Sequence, residues 1–146
     1  MIFRTAEGIR TTMPSRGRIF IVEDQPDLSE ILEQQVTMLG FNHCGSAASA
    51  EEALERIRSR KPDLVLVDLM LMERMEGLVI GDFLSRSGIP FLYLTGIDDN
   101  ETLRLVRRTG PAGFLLKPYT EDQLKTAIES ALQTCSGRSR SRPQTP

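Results

Sequence analysis

Five residues with chemistry to offer stand at the ends of apolar runs: Glu23 and Asp24 after "RIFIV", Asp68 closing "DLVLVD", Thr95 closing "IPFLYLT" and Lys117 after "AGFLL". Each alone has an ordinary explanation, since carboxylates cap helices or make turns, threonine commonly ends a strand, and a lysine before Pro118 is a loop cation. Brought together they are three acids, one hydroxyl and one ammonium. Three close carboxylates repel, and they stay ionised at neutral pH only if a cation compensates them. Lys117 supplies one charge. The remainder suits a hard divalent ion with oxygen ligands, and Mg2+ is favoured because it binds through one or two carboxylates, keeps waters and engages phosphoryl groups. Asp68 could then act as a nucleophile toward phosphorus, with metal, Lys117 and the Thr95 hydroxyl neutralising and orienting the phosphoryl oxygens.

The elements that must position these residues follow from periodicity. "RIFIV" is a short β-branched and aromatic run, whereas Leu28, Ile31, Leu32, Val36 and Leu39 recur at helical spacing and stop before Gly40. "FNHCGSA" is a weaker strand. The helix after it has Ser49 as its cap, Glu52 as capping-box partner and Pro62 just past its end. "DLVLVD" is apolar on both faces, as a central parallel strand should be, and predicts a helix from about Gly77 to Ser87 after it. "IPFLYLT" and "DNETLRLVRRT" form the fourth strand and helix. "AGFLL" and a helix capped by Thr120, with Leu124, Ala127, Ile128, Ala131 and Leu132 on one stripe, form the fifth. Five βα units imply right-handed crossovers and an α/β fold: a flavodoxin-like (βα)5 doubly wound parallel sheet of strand order 2-1-3-4-5. In such a sheet all five chemical residues reach the carboxyl edge.

Bulk properties bound the remaining choices. A chain of 146 residues with 40% apolar and 26% charged residues holds one domain, expected over residues 18–134 between a flexible basic extension at 1–17 and a disordered basic tail at 135–146. Of the net charge of −2, residues 1–18 carry +3 and residues 136–146 carry +3, which leaves −8 for residues 19–135. An acidic domain argues against direct DNA binding, which needs clustered Lys and Arg on a folded face. Cys44, Cys135 and His43 have no metal-ligand spacing, so zinc and a disulfide framework are not expected. No apolar run is long enough to span a bilayer and no secretory signal begins the chain, so a cytoplasmic location is expected.

The motifs "IFIVEDQPD", "PDLVLVDLML", "PFLYLTG" and "GFLLKPY" resemble those of receiver domains of two-component response regulators, over roughly Arg18 to Thr134. The resemblance implies Mg2+-dependent transfer of a phosphoryl group from a histidine kinase, or a histidine phosphotransfer protein, to Asp68. It makes Glu23 and Asp24 the acidic metal pair and the Met70 backbone carbonyl a further ligand. Thr95 and Lys117 become phosphoryl contacts, the Lys117–Pro118 peptide is expected to be cis, and Thr95 with Phe114 becomes the switch. Phosphorylation and dephosphorylation are then self-catalysed, and the protein is not an enzyme in the turnover sense. The kinase would dock on Pro26 to Leu39 and Pro118 to Glu121. A homodimer would form through the fourth helix, fifth strand and fifth helix, where Arg104, Arg107 and Arg108 face Glu121, Asp122 and Lys125.

Two features depart from the family pattern. Met72 and Glu76 hold positions where most receivers have Pro and Gly, with Gly77 one residue late, so the loop is one residue longer. Met70 and Ile97, both apolar, border the expected path of a hydrolytic water, which predicts slow self-dephosphorylation. Among competing readings, a phosphatase-like hydrolase with Asp68 as nucleophile usually needs a second Asp where Met70 stands. An FMN-binding flavodoxin needs a hydroxyl- and glycine-rich phosphate loop where "EDQPD" stands. A degenerate receiver acting as a pure binding module would not need every expected position filled. "CSGRSRSRPQTP" is too short and polar to form an output domain.

Overall fold

The structure, a computed structural model, describes residues 2–4, 10–12 and 16–141, with side chains from 16 to 133. Near the N-terminus, β1 (Ile2–Arg4) and β2 (Arg10–Thr12) pair antiparallel with Ile2 opposite Thr12. Five parallel strands follow, each but the last leading into a helix that returns to the sheet. They are β3 (Arg18–Val22), β4 (Asn42–Ala47), β5 (Leu64–Asp68), β6 (Phe91–Thr95) and β7 (Gly113–Leu116). The helices are α1 (Pro26–Met38), α2 (Ala50–Arg60), α3 (Gly77–Ser87), α4 (Asn100–Arg108) and α5 (Glu121–Ser141). The strands lie in the order β4-β3-β5-β6-β7, the expected 2-1-3-4-5.

Burial follows from this order. β5 and β6 are buried at every position because helices cover both faces, and that is why their sequences are unbroken apolar runs. On one face Ala53, Ile57, Ile80, Leu84 and Val106 from α2, α3 and α4 pack on Phe20, Val65, Val67, Phe91 and Tyr93. On the other, Leu32 and Val36 of α1 and Leu124, Ile128 and Ala131 of α5 pack on Ile19, Ile21, Leu64, Leu66, Leu92 and Leu94. Each large aliphatic side chain so buried contributes about 1.5–3 kcal/mol.

The helix starts read from sequence are present as hydrogen bonds. Ser49 Oγ accepts from Glu52 N–H at 3.2 Å, and Glu52 Oε1 accepts in return from Ala48 N–H at 2.9 Å, one residue before the cap. Thr120 and Gln123 make the reciprocal pair at the start of α5, at 3.1 and 2.8 Å. The chain ends differ from expectation. The 1–17 segment contains the β1–β2 pair, and Arg16 is held in place: it donates to the Leu39 carbonyl at 2.7 Å, pairs with Glu129 and lies over the Phe41 ring. Helix α5 runs to Ser141, seven residues beyond the expected Thr134, because no residue before Pro143 forbids a helix. Residues 1, 5–9, 13–15 and 142–146 lie outside the described residues.

Two glycines admit close approaches. At Gly77 a Cβ would lie 2.7 Å from the Asp68 carbonyl oxygen and 2.7 Å from Leu69 Cα, so α3 can start against the end of β5 only if the side chain is absent. At Gly81 a Cβ would meet the Tyr93 hydroxyl at 1.9 Å. That hydroxyl is 2.7 Å from Thr109 Oγ1, which donates to the Val106 carbonyl at 2.8 Å and so ties β6 to the end of α4. Burial pushes the Tyr93 hydroxyl up to about 12, so it remains a neutral hydrogen-bonding group. Gly77→Ala is expected to cost about 1–3 kcal/mol in urea unfolding. Gly96→Ala, whose Cβ would meet nothing within 4 Å, should stay within about 0.5 kcal/mol of wild type.

Candidate functional site

The carboxyl edge of the sheet gathers the acids. Glu23 and Asp24 follow β3, Asp68 ends the neighbouring β5, and a carboxylate oxygen of each lies within 4.8 Å of the other two. Glu23 and Asp68 are only 4% and 5% exposed, so this is charge held largely out of water. Lys117, one strand further out than Thr95, brings its Nζ to 3.5 Å from Asp68 Oδ1. The Lys117–Pro118 peptide is cis.

Each carboxylate also accepts one backbone N–H: Glu23 from Gln25 at 3.1 Å, Asp68 from Met70 at 3.2 Å and Asp24 from Met72 at 3.2 Å. At Glu23 the donor does not offset the burial. Removal from water, reinforced by the charge of Asp68, pushes Glu23 up to about 7 against the opposing pull of the Gln25 N–H and Lys117. Burial, with the charges of Glu23 and Asp68 behind it, also raises the Tyr119 hydroxyl. Two buried acids, a third beside them and a single ammonium make a donor set of oxygens with excess negative charge. That set fits a hard divalent cation.

The other predicted site residues divide in their placement. Thr95 is 1% exposed, and its Oγ1 accepts from Ile97 N–H at 2.9 Å, so the hydroxyl is engaged with its own loop. Phe114 stands beside Tyr93 in the β6–β7 register, half-buried on the face that carries Val106 of α4 and away from the acids. Met70 enters through its N–H, which holds Asp68. Sequence reasoning missed the Gln25 and Met72 donors, the Tyr119 ring and the Tyr93–Thr109 pair. Backbone donors have no residue signature. Tyr93, two residues before Thr95, and Tyr119, after Pro118, carry only strand and loop signals in the sequence.

The family model for the response regulator receiver domain matches residues 19–129. Among curated proteins, the chain is 30% identical over 114 residues to a probable C4-dicarboxylate response regulator DctR of Halalkalibacterium halodurans, covering 76% of this chain and 49% of that protein. It is 31% identical over 120 residues to the transcriptional regulatory protein PdtaR of Mycobacterium tuberculosis, covering 79% and 56%. The chain thus spans about half the length of the curated relatives it matches. Among solved structures, the signal receiver domain of a modulated diguanylate cyclase from Desulfovibrio desulfuricans G20 superposes with a TM-score of 0.77 at 30% identity, covering 84% of this chain and 98% of that one. An acid cluster at the carboxyl edge of a 2-1-3-4-5 sheet thus coincides with a family match over most of the chain: the protein belongs to the response regulator receiver domain family.

Proposed function

We propose that this chain is a phosphorylation-controlled signalling switch in which Asp68 accepts a phosphoryl group from a histidine kinase or a histidine phosphotransfer protein. The observation that carries this reading is the Asp68 carboxylate, buried within the acid cluster and 3.5 Å from the Lys117 ammonium. Asp68 attacks phosphorus, forming an O–P bond as the P–N bond to the donor imidazole breaks and the ring leaves with the electron pair. Met70 N–H and Lys117 hold Oδ1 and fix the carboxylate's orientation. Glu23, Asp24, Asp68 and the Met70 carbonyl are the groups that would hold Mg2+, which when bound supplies positive charge for the phosphoryl oxygens.

Lys117 and the Thr95 hydroxyl, carried by neighbouring strands, would contact those oxygens, with Thr95 turning its O–H from the Ile97 carbonyl toward the phosphoryl group. That rearrangement moves the β6–α4 loop, and the half-buried Phe114 ring responds by burying against α4. The output is a change of protein contacts on α4, β7 and α5, including self-association through that face; direct DNA binding is not part of the reading. The working unit is residues 18–134. Among the described residues no helix is long and apolar enough to cross a membrane.

Acetyl phosphate or a phosphorylated histidine kinase should label the wild type only with Mg2+ present and should not label Asp68→Asn; labelling that persists in Asp68→Asn overturns the assignment. Met70 and Ile97 flank the site with apolar side chains, so the Met70→Asn/Ile97→Glu double variant should lose its phosphoryl group severalfold faster than wild type in a chase assay. The state of Glu23 predicts a pH effect on the metal-free protein. Its folded value of about 7 lies above the 4.5 of an ordinary glutamate, so between them the folded chain binds more protons than the unfolded one. Stability should therefore fall as pH rises through that window. Thermal unfolding in EDTA at about pH 5 and about pH 8 should show this fall, and Glu23→Gln should flatten it.

A further inference from the structure

The turn after Asp68 adopts an unfavourable conformation, and its backbone faces the acid cluster. Arg74 N–H donates to the Leu71 carbonyl at 2.9 Å, closing a four-residue turn whose central residues, Met72 and Glu73, have φ of +53° and +60°. Such positions favour Gly or Asn. Packing does not explain the choice, because Leu71 is the fully buried member while Met72 is 53% exposed and Glu73 is exposed. What the conformation achieves is on the main chain. Met70 N–H reaches Asp68 and Met72 N–H reaches Asp24, two alternate amides on either side of the anchored Leu71. Asp24 lies in the loop after β3, is more exposed than its two partners, and takes its hydrogen bond from a residue 48 positions away.

We propose that the Leu71–Arg74 turn is a positioning element that fixes the Asp24 carboxylate through Met72 N–H and so pre-arranges the acid cluster for a divalent cation. This rests on the reading above, in which the cluster binds such an ion. A carboxylate on a partly exposed loop would otherwise sample several rotamers, and the donor that orients a metal ligand governs affinity without touching the metal. The left-handed backbone at Met72 and Glu73 is the conformation that keeps this N–H aimed at Asp24.

The test measures Mn2+ affinity of the full chain by electron paramagnetic resonance of the free ion, alongside thermal unfolding in EDTA. Two changes loosen the turn by different means: insertion of two glycines between Glu73 and Arg74, and Glu73→Pro, whose ring excludes positive φ. Each is expected to raise the Mn2+ dissociation constant about tenfold while leaving the metal-free unfolding midpoint near wild type. The double variant Met72→Asn/Glu73→Gly, suited to the same turn, should retain wild-type affinity with a higher midpoint. A wild-type dissociation constant in a folded loosening variant overturns the proposal, as does loss of folding in both, since the turn would then serve the fold and not the cluster. Weakened binding in Met72→Asn/Glu73→Gly equal to that of the insertion also overturns it. Failure of the wild type itself to bind Mn2+ would instead overturn the metal reading.

Discussion

Negative charge held away from water is the condition around which this structure is arranged. Two buried carboxylates with a third in reach would each be costly alone and costlier together. The metal-free protein meets that cost in three ways. Lys117 approaches Asp68, each carboxylate takes one backbone N–H, and Glu23 resists ionisation until near neutral pH. Each of these is partial, so the cluster carries uncompensated negative charge and could hold a cation. A site relieved fully by its own side chains would have no use for a cation or for a ligand whose charge changes.

The topology makes the arrangement possible. Placing β3 beside β5, β5 beside β6 and β6 beside β7 brings residues from positions 23 to 117 to one edge through parallel strands alone. The helices do the shielding. The start of α3 packs against the end of β5, permitted by Gly77, and the loop between them contributes the Met70 and Met72 amides to the cluster. Left-handed backbone at Met72 and Glu73, on the order of 1–2 kcal/mol per residue, is a small expense beside the desolvation of two carboxylates.

The fold was legible because its signals are repeated and local. β5 and β6 announce themselves as apolar runs buried on both faces, Ser49 and Thr120 mark helix starts by hydroxyl chemistry, and Gly77 to Ser87 could be bounded to the residue. The acids, Thr95 and Lys117 were legible as residue types at strand ends. What could not be read was the role of main-chain groups. Nothing in the letters of Gln25 or Met72 says that an N–H points at a carboxylate, and "LMER" gives no sign of two consecutive left-handed residues, since neither Met nor Glu favours them. At the chain ends an Arg- and Ser-rich composition looks solvated and gives no sign that Arg16 finds a carbonyl, a carboxylate and a ring at once or that α5 continues to Ser141.

The contact of Gly81, Tyr93 and Thr109 binds three distant positions into one packing unit. A phenol fits under α3 only because residue 81 has no side chain, and its hydroxyl has a partner only because residue 109 carries one. A larger residue at 81 would need a smaller one at 93, and that exchange would leave the Thr109 hydroxyl without its partner on β6. The energies of substitution at these three sites therefore do not add, so that what one position can accept is set by two others far along the chain.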